Sequence, residues 1–298
     1  MQRRDLFLTL LVMAIWGFNF SMIKLGVSEI DPLVIASARF FFAAVPMVFF
    51  IRKPAVKWRY LVLYGVVFGV GVWGTGLSSI TFGLSSGMAS VLQQTDVLTS
   101  VVVGVLVYKE VISTKMALAI GLSLLGLVIS ISATNGNVTL MGCLWMLVSV
   151  ICWPLSSVVV RKYAGTSVFA FNLWGMLCAP IPLLLLAMII HGPGVITHSL
   201  GLWNEHAWLS VLFQAYPTTL FGYWIWNKMV VKYPLNLMAP FTLLVSIFAL
   251  ISGYLMFGEQ LSLVQWVSCS IFLVGIALVI SPGKSKKESA PSKELTEV

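Results

Sequence analysis

Charge is what this sequence has least of. Only 9% of its 298 residues are charged, and only 10 are acidic, whereas 59% are hydrophobic. A soluble domain carries about a quarter charged residues. So much apolar surface cannot be hidden in one aqueous core, and lipid must solvate much of it. Cysteine is sparse as well. Cys143, Cys152, Cys178 and Cys269 all lie inside apolar runs and none forms a CxxC pair, which argues against disulfides or a metal site. No GxxxxGK[ST], HExxH or GxSxG pattern occurs. ATP hydrolysis by this chain is therefore unsupported, enzymatic chemistry is not expected, and no cofactor is called for. The net charge of +8 resides in short clusters between apolar runs, which reads as topology signal rather than a nucleic-acid surface.

What is present is a series of apolar runs of membrane-spanning length. A bilayer core of about 30 Å needs about 20 mostly apolar helical residues. Such runs fall at 6–25, 32–51, 60–80, 87–107 and 113–132, then at 139–160, 168–190, 208–230, 235–257 and 261–280. The first follows Arg3 and Arg4 as a signal peptide would. It carries Asn19 and Lys24 and no small-residue cleavage site, so it reads as a retained span. Of the 18 lysines and arginines, 16 fall on one side of this arrangement, and Lys24 and Arg39 lie inside spans. The opposite loops carry Glu29, Asp31, Glu205, Glu259 and all three histidines. Positive charge concentrates on the cytoplasmic side, so the expectation is an all-α inner-membrane protein of ten spans with both termini cytoplasmic. The Lys- and Ser-rich segment 282–298 has little to bury and reads as a disordered tail.

The two halves repeat. Trp16 with Lys24 eight residues on matches Trp153 with Arg161 eight on, an offset of 137. Glu110 matches Glu259, Gly104 matches Gly253 and Gly126 matches Gly275, an offset of 149. The twelve extra residues fit the long 191–208 connection. The expected organisation is one repeat over 1–133 and a second over 134–281. Five spans is an odd number, so the second repeat enters the membrane from the opposite side. Inverted repeats are an architecture of secondary transporters, with substrate bound near the midplane at their interface.

Several stretches are similar to the EamA-type transporters of the drug/metabolite transporter superfamily. They are Trp16-Gly17-Phe18-Asn19-Phe20, Ala38-Arg39-Phe40, Gly87-Met88-Ala89-Ser90, Gly222-Tyr223 with Trp226, Ala239-Pro240 and Gly258-Glu259. Their order and duplication cover nearly the whole chain. The resemblance implies a ten-helix exporter of small metabolites, with amino acids and cysteine-pathway compounds nearest and drugs, sugars or nucleotide sugars in more distant relatives. The sequence departs from the pattern at Val97 and Ser246, where a proline is common, and at Lys109-Glu110, where Gly-Glu is usual.

Within the spans a few residues stand out as candidates to bind a small-molecule substrate. Charges inside a membrane are costly and mark function. Asp96, with Gln93 one turn earlier, can take up a proton, pair with a substrate ammonium, or bridge to Arg39 or Lys24. The Arg39 guanidinium suits a carboxylate of substrate or protein, or a helix carbonyl. Trp16 with Asn19 and Trp153 with Ser156 occupy matched positions and offer an aromatic wall with hydrogen-bonding groups, or else interhelical packing. Gln214, Tyr216, Pro217, Thr218, Thr219 and Tyr223 form a polar, aromatic stretch around a proline, which suggests a kink beside a cavity. Trp224 and Trp226 read as interface anchors, the glycines of the third span as packing positions, and Glu110 and Glu259 as braces of loops. The expected activity is alternating-access export driven by a solute gradient or by proton exchange, with Asp96 the proton-carrier candidate. A channel or a scaffold is the competing reading.

Overall fold

The computed structural model describes residues 1–27, 30–84, 89, 92–93, 95–114, 117–118, 120–122, 125–126, 129, 139–165, 167–258 and 263–280. The fifth expected span and the whole 282–298 tail thus lie largely or wholly outside the described residues, as do Glu29 and Glu259. Among the described residues every regular element is helical. The helices are α1 Arg3–Gly26, α2 Pro32–Val48, α3 Trp58–Thr81, α4 Asp96–Tyr108, α5 Leu140–Tyr163, α6 Val168–His191, α7 Val195–Gly201, α8 at 205–232, α9 Ala239–Phe257 and α10 Leu263–Ile280. Five of them, α1, α3, α5, α6 and α9, are long and apolar enough to cross a membrane, and α2 and α4 are shorter apolar helices. The chain is a multi-pass membrane protein.

Local chemistry sets the helix starts. Asp31 Oδ1 accepts from the N–H groups of Leu33 (2.8 Å) and Val34 (3.2 Å), with Pro32 at the first helical position, where its missing N–H costs nothing. Thr139, Ser167 and Asn204 cap α5, α6 and α8 through their side-chain oxygens. The expected fourth span does not run unbroken. A turn at Thr95 precedes α4, so Asp96 sits in the first turn of a helix rather than at the middle of one.

Helix contact is closest where side chains are smallest. A Cβ on Gly17 of α1 would lie 2.2 Å from Phe248 Cβ of α9, and one on Gly65 of α3 would lie 2.4 Å from the Gly175 carbonyl of α6. Small residues let membrane helices approach until backbones touch.

Two departures from α geometry recur at matched places. Residues Val66–Gly74 of α3 and Gln214–Gly222 of α8 are π-helical, nine residues each and 148 apart. A π register sends each N–H five residues back and an α register four. In α8 the register returns to α at Tyr223, whose N–H bonds the Thr219 carbonyl, so the Thr218 carbonyl falls out of the ladder. Trp16 Nε1 of α1 takes it at 3.2 Å. In α3 the Val72 carbonyl, which also accepts from the Thr75 N–H, takes a second donor from outside, Ser149 Oγ of α5 at 2.8 Å. Each repeat's π segment is therefore met by the opening helix of the other repeat. The ends of α4 and α9 match as well, at Lys109 (φ 55) and Gly258 (φ 68), each a left-handed cap.

Charge pairs gather at the two ends of the bundle. One end holds Lys232 Nζ on Asp5 Oδ2 at 2.6 Å, which keeps the lysine ammonium above its ordinary range. Arg161 lies at the same end. It donates to the Tyr233 (2.6 Å) and Val230 (2.8 Å) carbonyls and to Glu110 Oε1 at 3.4 Å, and Glu110 Oε1 also accepts the Leu235 N–H at 3.0 Å. This is the loop-bracing role expected of Glu110. The other end pairs His191 Nδ1 with Asp31 at 2.6 Å.

Candidate functional site

The seam between the repeats is built from rings. Trp16 of α1 and Trp153 of α5, the matched pair of the sequence, meet edge to face with centroids 5.6 Å apart. Tyr223 lies 4.8 Å and Trp226 5.5 Å from Trp16, and Phe68 of α3 lies 4.6 Å from Tyr223. Aromatic rings at 4.5–7 Å in tilted or T-shaped geometry attract through their quadrupoles as well as by burial. Gly222 is what admits Trp16 here. A Cβ at 222 would lie 2.5 Å from Trp16 Nε1, so the Gly222-Tyr223 pair is a steric requirement of the indole against α8.

The polar members divide into three groups. Asn19 Oδ1 accepts from Thr218 Oγ1 at 3.0 Å, which ties α1 to the π segment beside the Trp16 bond. Ser156 does not mirror Asn19. Its hydroxyl turns back onto its own helix, to the Trp153 carbonyl at 2.7 Å. Gln93 Oε1 accepts from Ser149 Oγ at 3.3 Å, between α3 and α5.

Arg39, 1% exposed, lies between α2 and the π segment of α8. Its Nη1 donates to Gln214 Oε1 at 3.3 Å and its Nη2 to the Tyr223 hydroxyl at 3.5 Å, while its plane stacks 3.8 Å from the Trp73 ring centroid. Gln214 in turn donates to Ser210 Oγ at 2.9 Å. Asp96 is 7% exposed, and Thr242 Oγ1 at 3.4 Å is its hydrogen-bonding side-chain partner. The bridge from Asp96 to Arg39 or Lys24 does not form. Arg39 has the neutral partners just named, and Lys24 lies 4.4 Å over the Phe257 ring.

One expectation is corrected. Trp226 is not an interface anchor. It is 4% exposed and belongs to the ring cluster, because the π segment rotates the rest of α8 relative to an unbroken α register. Trp224 is half-buried against Phe169 and Phe221. Reasoning from sequence missed Phe68, Trp73 and a buried amide chain. In that chain Asn227 Nδ2 donates to Asn172 Oδ1 (2.7 Å) and the Tyr64 hydroxyl (3.0 Å), and Asn172 Nδ2 donates to the Tyr223 carbonyl (3.1 Å). The available signal was Asn172 and Asn227 inside apolar runs.

Comparison with known proteins agrees with this two-part build. Residues 4–132 and 140–281 each match the EamA-like transporter family. Over 282 residues the chain is 30% identical to a protein of Salmonella typhimurium named "Probable amino-acid metabolite efflux pump", covering 93% of this chain and 94% of that one. The protein of the same name from Escherichia coli K12 is 29% identical with the same coverage. A Bacillus subtilis protein named "Uncharacterized transporter YoaV" is 23% identical, over 88% of this chain and 93% of that one. A solved crystal structure at 14% identity superposes with a TM-score of 0.77 over 94% of this chain and 97% of that chain, a likeness of fold. With two copies of the family's domain along nearly its whole length, the chain belongs to the EamA-like transporter family.

Proposed function

We propose that this chain is a secondary transporter that exports amino acids or closely related small metabolites, cysteine-pathway compounds among them, by alternating access at the seam of its repeats. The observation that carries the reading is the ring cluster at that seam, where Trp16 and Trp153 meet at matched positions. An aromatic wall with a few polar groups, supplied here by Asn19, Thr218, Gln214 and Tyr223, suits a small amphipathic solute. The names of the Salmonella and Escherichia coli relatives point the same way. Asp96 is the candidate to carry a proton or meet a substrate ammonium, since it sits deep in the bundle and, among the described residues, has no cation of the protein within ion-pair distance.

The topology that goes with this reading is ten spans in an inverted 1–133 and 134–281 arrangement, in the inner membrane with both termini cytoplasmic. The one-sided distribution of lysine and arginine supports it, as does the gathering of Asp5, Glu110, Arg161 and Lys232 at one end and Asp31 with His191 at the other. The test is metabolite profiling of medium from overexpressing and deletion strains, followed by counterflow in proteoliposomes with a panel of L-amino acids and their thiol derivatives. Saturable counterflow of panel members is the expected result. Flux of drugs or other solutes alone would move the substrate class, ohmic current would make the chain a channel, and no flux of any kind would end the reading.

A further inference from the structure

We infer that Arg39 is the anion-recognition point of this transporter, and that its substrates carry a carboxylate which the guanidinium reads. The inference rests on the transporter reading above. It begins from a contrast in how the chain treats its charges. At the bundle ends, Asp5 has Lys232, Glu110 has Arg161 and Asp31 has His191. Arg39 is more deeply buried than any of these, and among the described residues no carboxylate lies within ion-pair distance of it. All of its partners are neutral: an amide oxygen, a phenol and an indole face. Arginine carries five N–H donors. Two are used, and Nε is buried with no acceptor among the described residues.

A buried cation without a counter-charge is a standing cost to the fold, and burying an unpaired donor adds to it. Function is what keeps such a group at membrane depth. A small cavity lies beside Arg39. With Trp73 and Gln214, Arg39 lines this cavity of about 10 Å³, otherwise walled by apolar side chains such as Ile23, Ile35 and Leu77. That volume is at the lower limit for a single water, so the structure shows the pocket shut. The fork of Nε and Nη2 is the geometry that a carboxylate meets with two parallel hydrogen bonds. Gln214 and Tyr223, at the first residue of the π segment and the first beyond it, hold the guanidinium plane across that segment, and the Tyr223 ring is itself part of the seam. Arg39 therefore faces the ring cluster through a shared residue, with the carboxylate position on one side of Tyr223 and Trp16 on the other.

The experiment uses the purified full chain in proteoliposomes and in detergent. The labelled L-amino acid that gives the best wild-type counterflow is competed with the unlabelled acid, its carboxamide and the amine that lacks the carboxyl group. The acid is expected to compete about 10–100-fold better than either analogue, the factor set by loss of charge-assisted hydrogen bonds. Arg39→Gln is expected to level acid and amide, and Arg39→Lys to keep a reduced preference for the acid. In detergent without substrate, Arg39→Gln should leave Tm unchanged or raise it, because an uncompensated charge is removed. An arginine that served only to join α2 to α8 would instead lower Tm and leave discrimination intact. Equal competition by acid and amide in the wild type overturns the assignment and needs no variant to fold. So does discrimination that survives Arg39→Gln. Absence of counterflow for every panel member is a different outcome, which defeats the transporter reading and this assignment with it.

Discussion

Replacing Gly222 by alanine tests the seam at its tightest point. The added Cβ would lie 2.5 Å from Trp16 Nε1 and 3.3 Å from Trp16 Cδ1. Comfortable contact needs about 3.5–4.0 Å, so the indole must withdraw by about 1 Å. Withdrawal breaks the 3.2 Å bond to the Thr218 carbonyl and disturbs the contacts with Trp153, Tyr223 and Trp226. Overpacking of this kind costs about 1–3 kcal/mol. The lost interhelical hydrogen bond adds about 0.6 kcal/mol, the average between membrane helices, and alanine's better helix propensity returns up to about 1 kcal/mol. The net expectation is a loss of about 1–3 kcal/mol, read as a lower Tm in detergent together with reduced counterflow. Gly201→Ala is the control, since nothing lies within 4 Å of a Cβ there. Trp16→Phe in the Gly222→Ala background should recover part of the loss, because the smaller ring no longer reaches the new methyl. Equal Tm values for Gly222→Ala and Gly201→Ala, or no coupling between positions 16 and 222, would refute the reasoning.

Four other substitutions have definite outcomes. Asp96→Asn should abolish the pH dependence of flux in vesicles while the protein still folds, since Asn keeps the acceptor for Thr242; an unchanged pH profile would remove Asp96 from proton coupling. Lys109→Gly should raise stability by about 1 kcal/mol, because the left-handed backbone at φ 55 penalises a side chain, and Gly258→Ala at φ 68 should lower it by a similar amount in denaturation measurements. Glu110→Ala should lower stability by about 1–3 kcal/mol, since it strips the acceptor from both Arg161 and the Leu235 N–H, with the loss visible as a lower Tm and softened by Glu110→Gln.

The parts legible in the sequence are those that depend on one residue's own chemistry. Apolar length placed α1, α2, α3, α5, α6, α8, α9 and α10 to within a few residues but not the start of α4, the Asp31-Pro32 start announced α2, and the 137 offset paired Trp16 with Trp153. What was not legible depends on partners. Pro217 marks the α8 irregularity by its missing N–H, but the carbonyl that leaves the ladder at the end of the π segment is that of Thr218, and its donor is Trp16, about 200 residues away. The π segment of α3 has glycines for a signal and no proline, and Ser149, 77 residues on, adds an outside donor to its Val72 carbonyl. Trp226 was misplaced because counting along an unbroken helix puts it near the membrane surface, while the π segment swings it toward Trp153. Asp96 was placed mid-helix because the turn at Thr95 has no strong breaker in its sequence; the Thr95 hydroxyl, bonded to the Leu92 carbonyl at 2.7 Å, makes that turn locally.

The ring cluster also bears on what a carrier does between substrates. Phe68, Trp153, Tyr223, Trp226 and Trp16 close on one another. Parting them exposes large apolar faces, each worth 150–250 Å² of buried surface, and nothing small and charged can take their place there at comparable free energy. A solute with an apolar body can. On the transport path proposed above, the contact among these rings is a barrier that a bare proton or metal ion has no apolar face to offset.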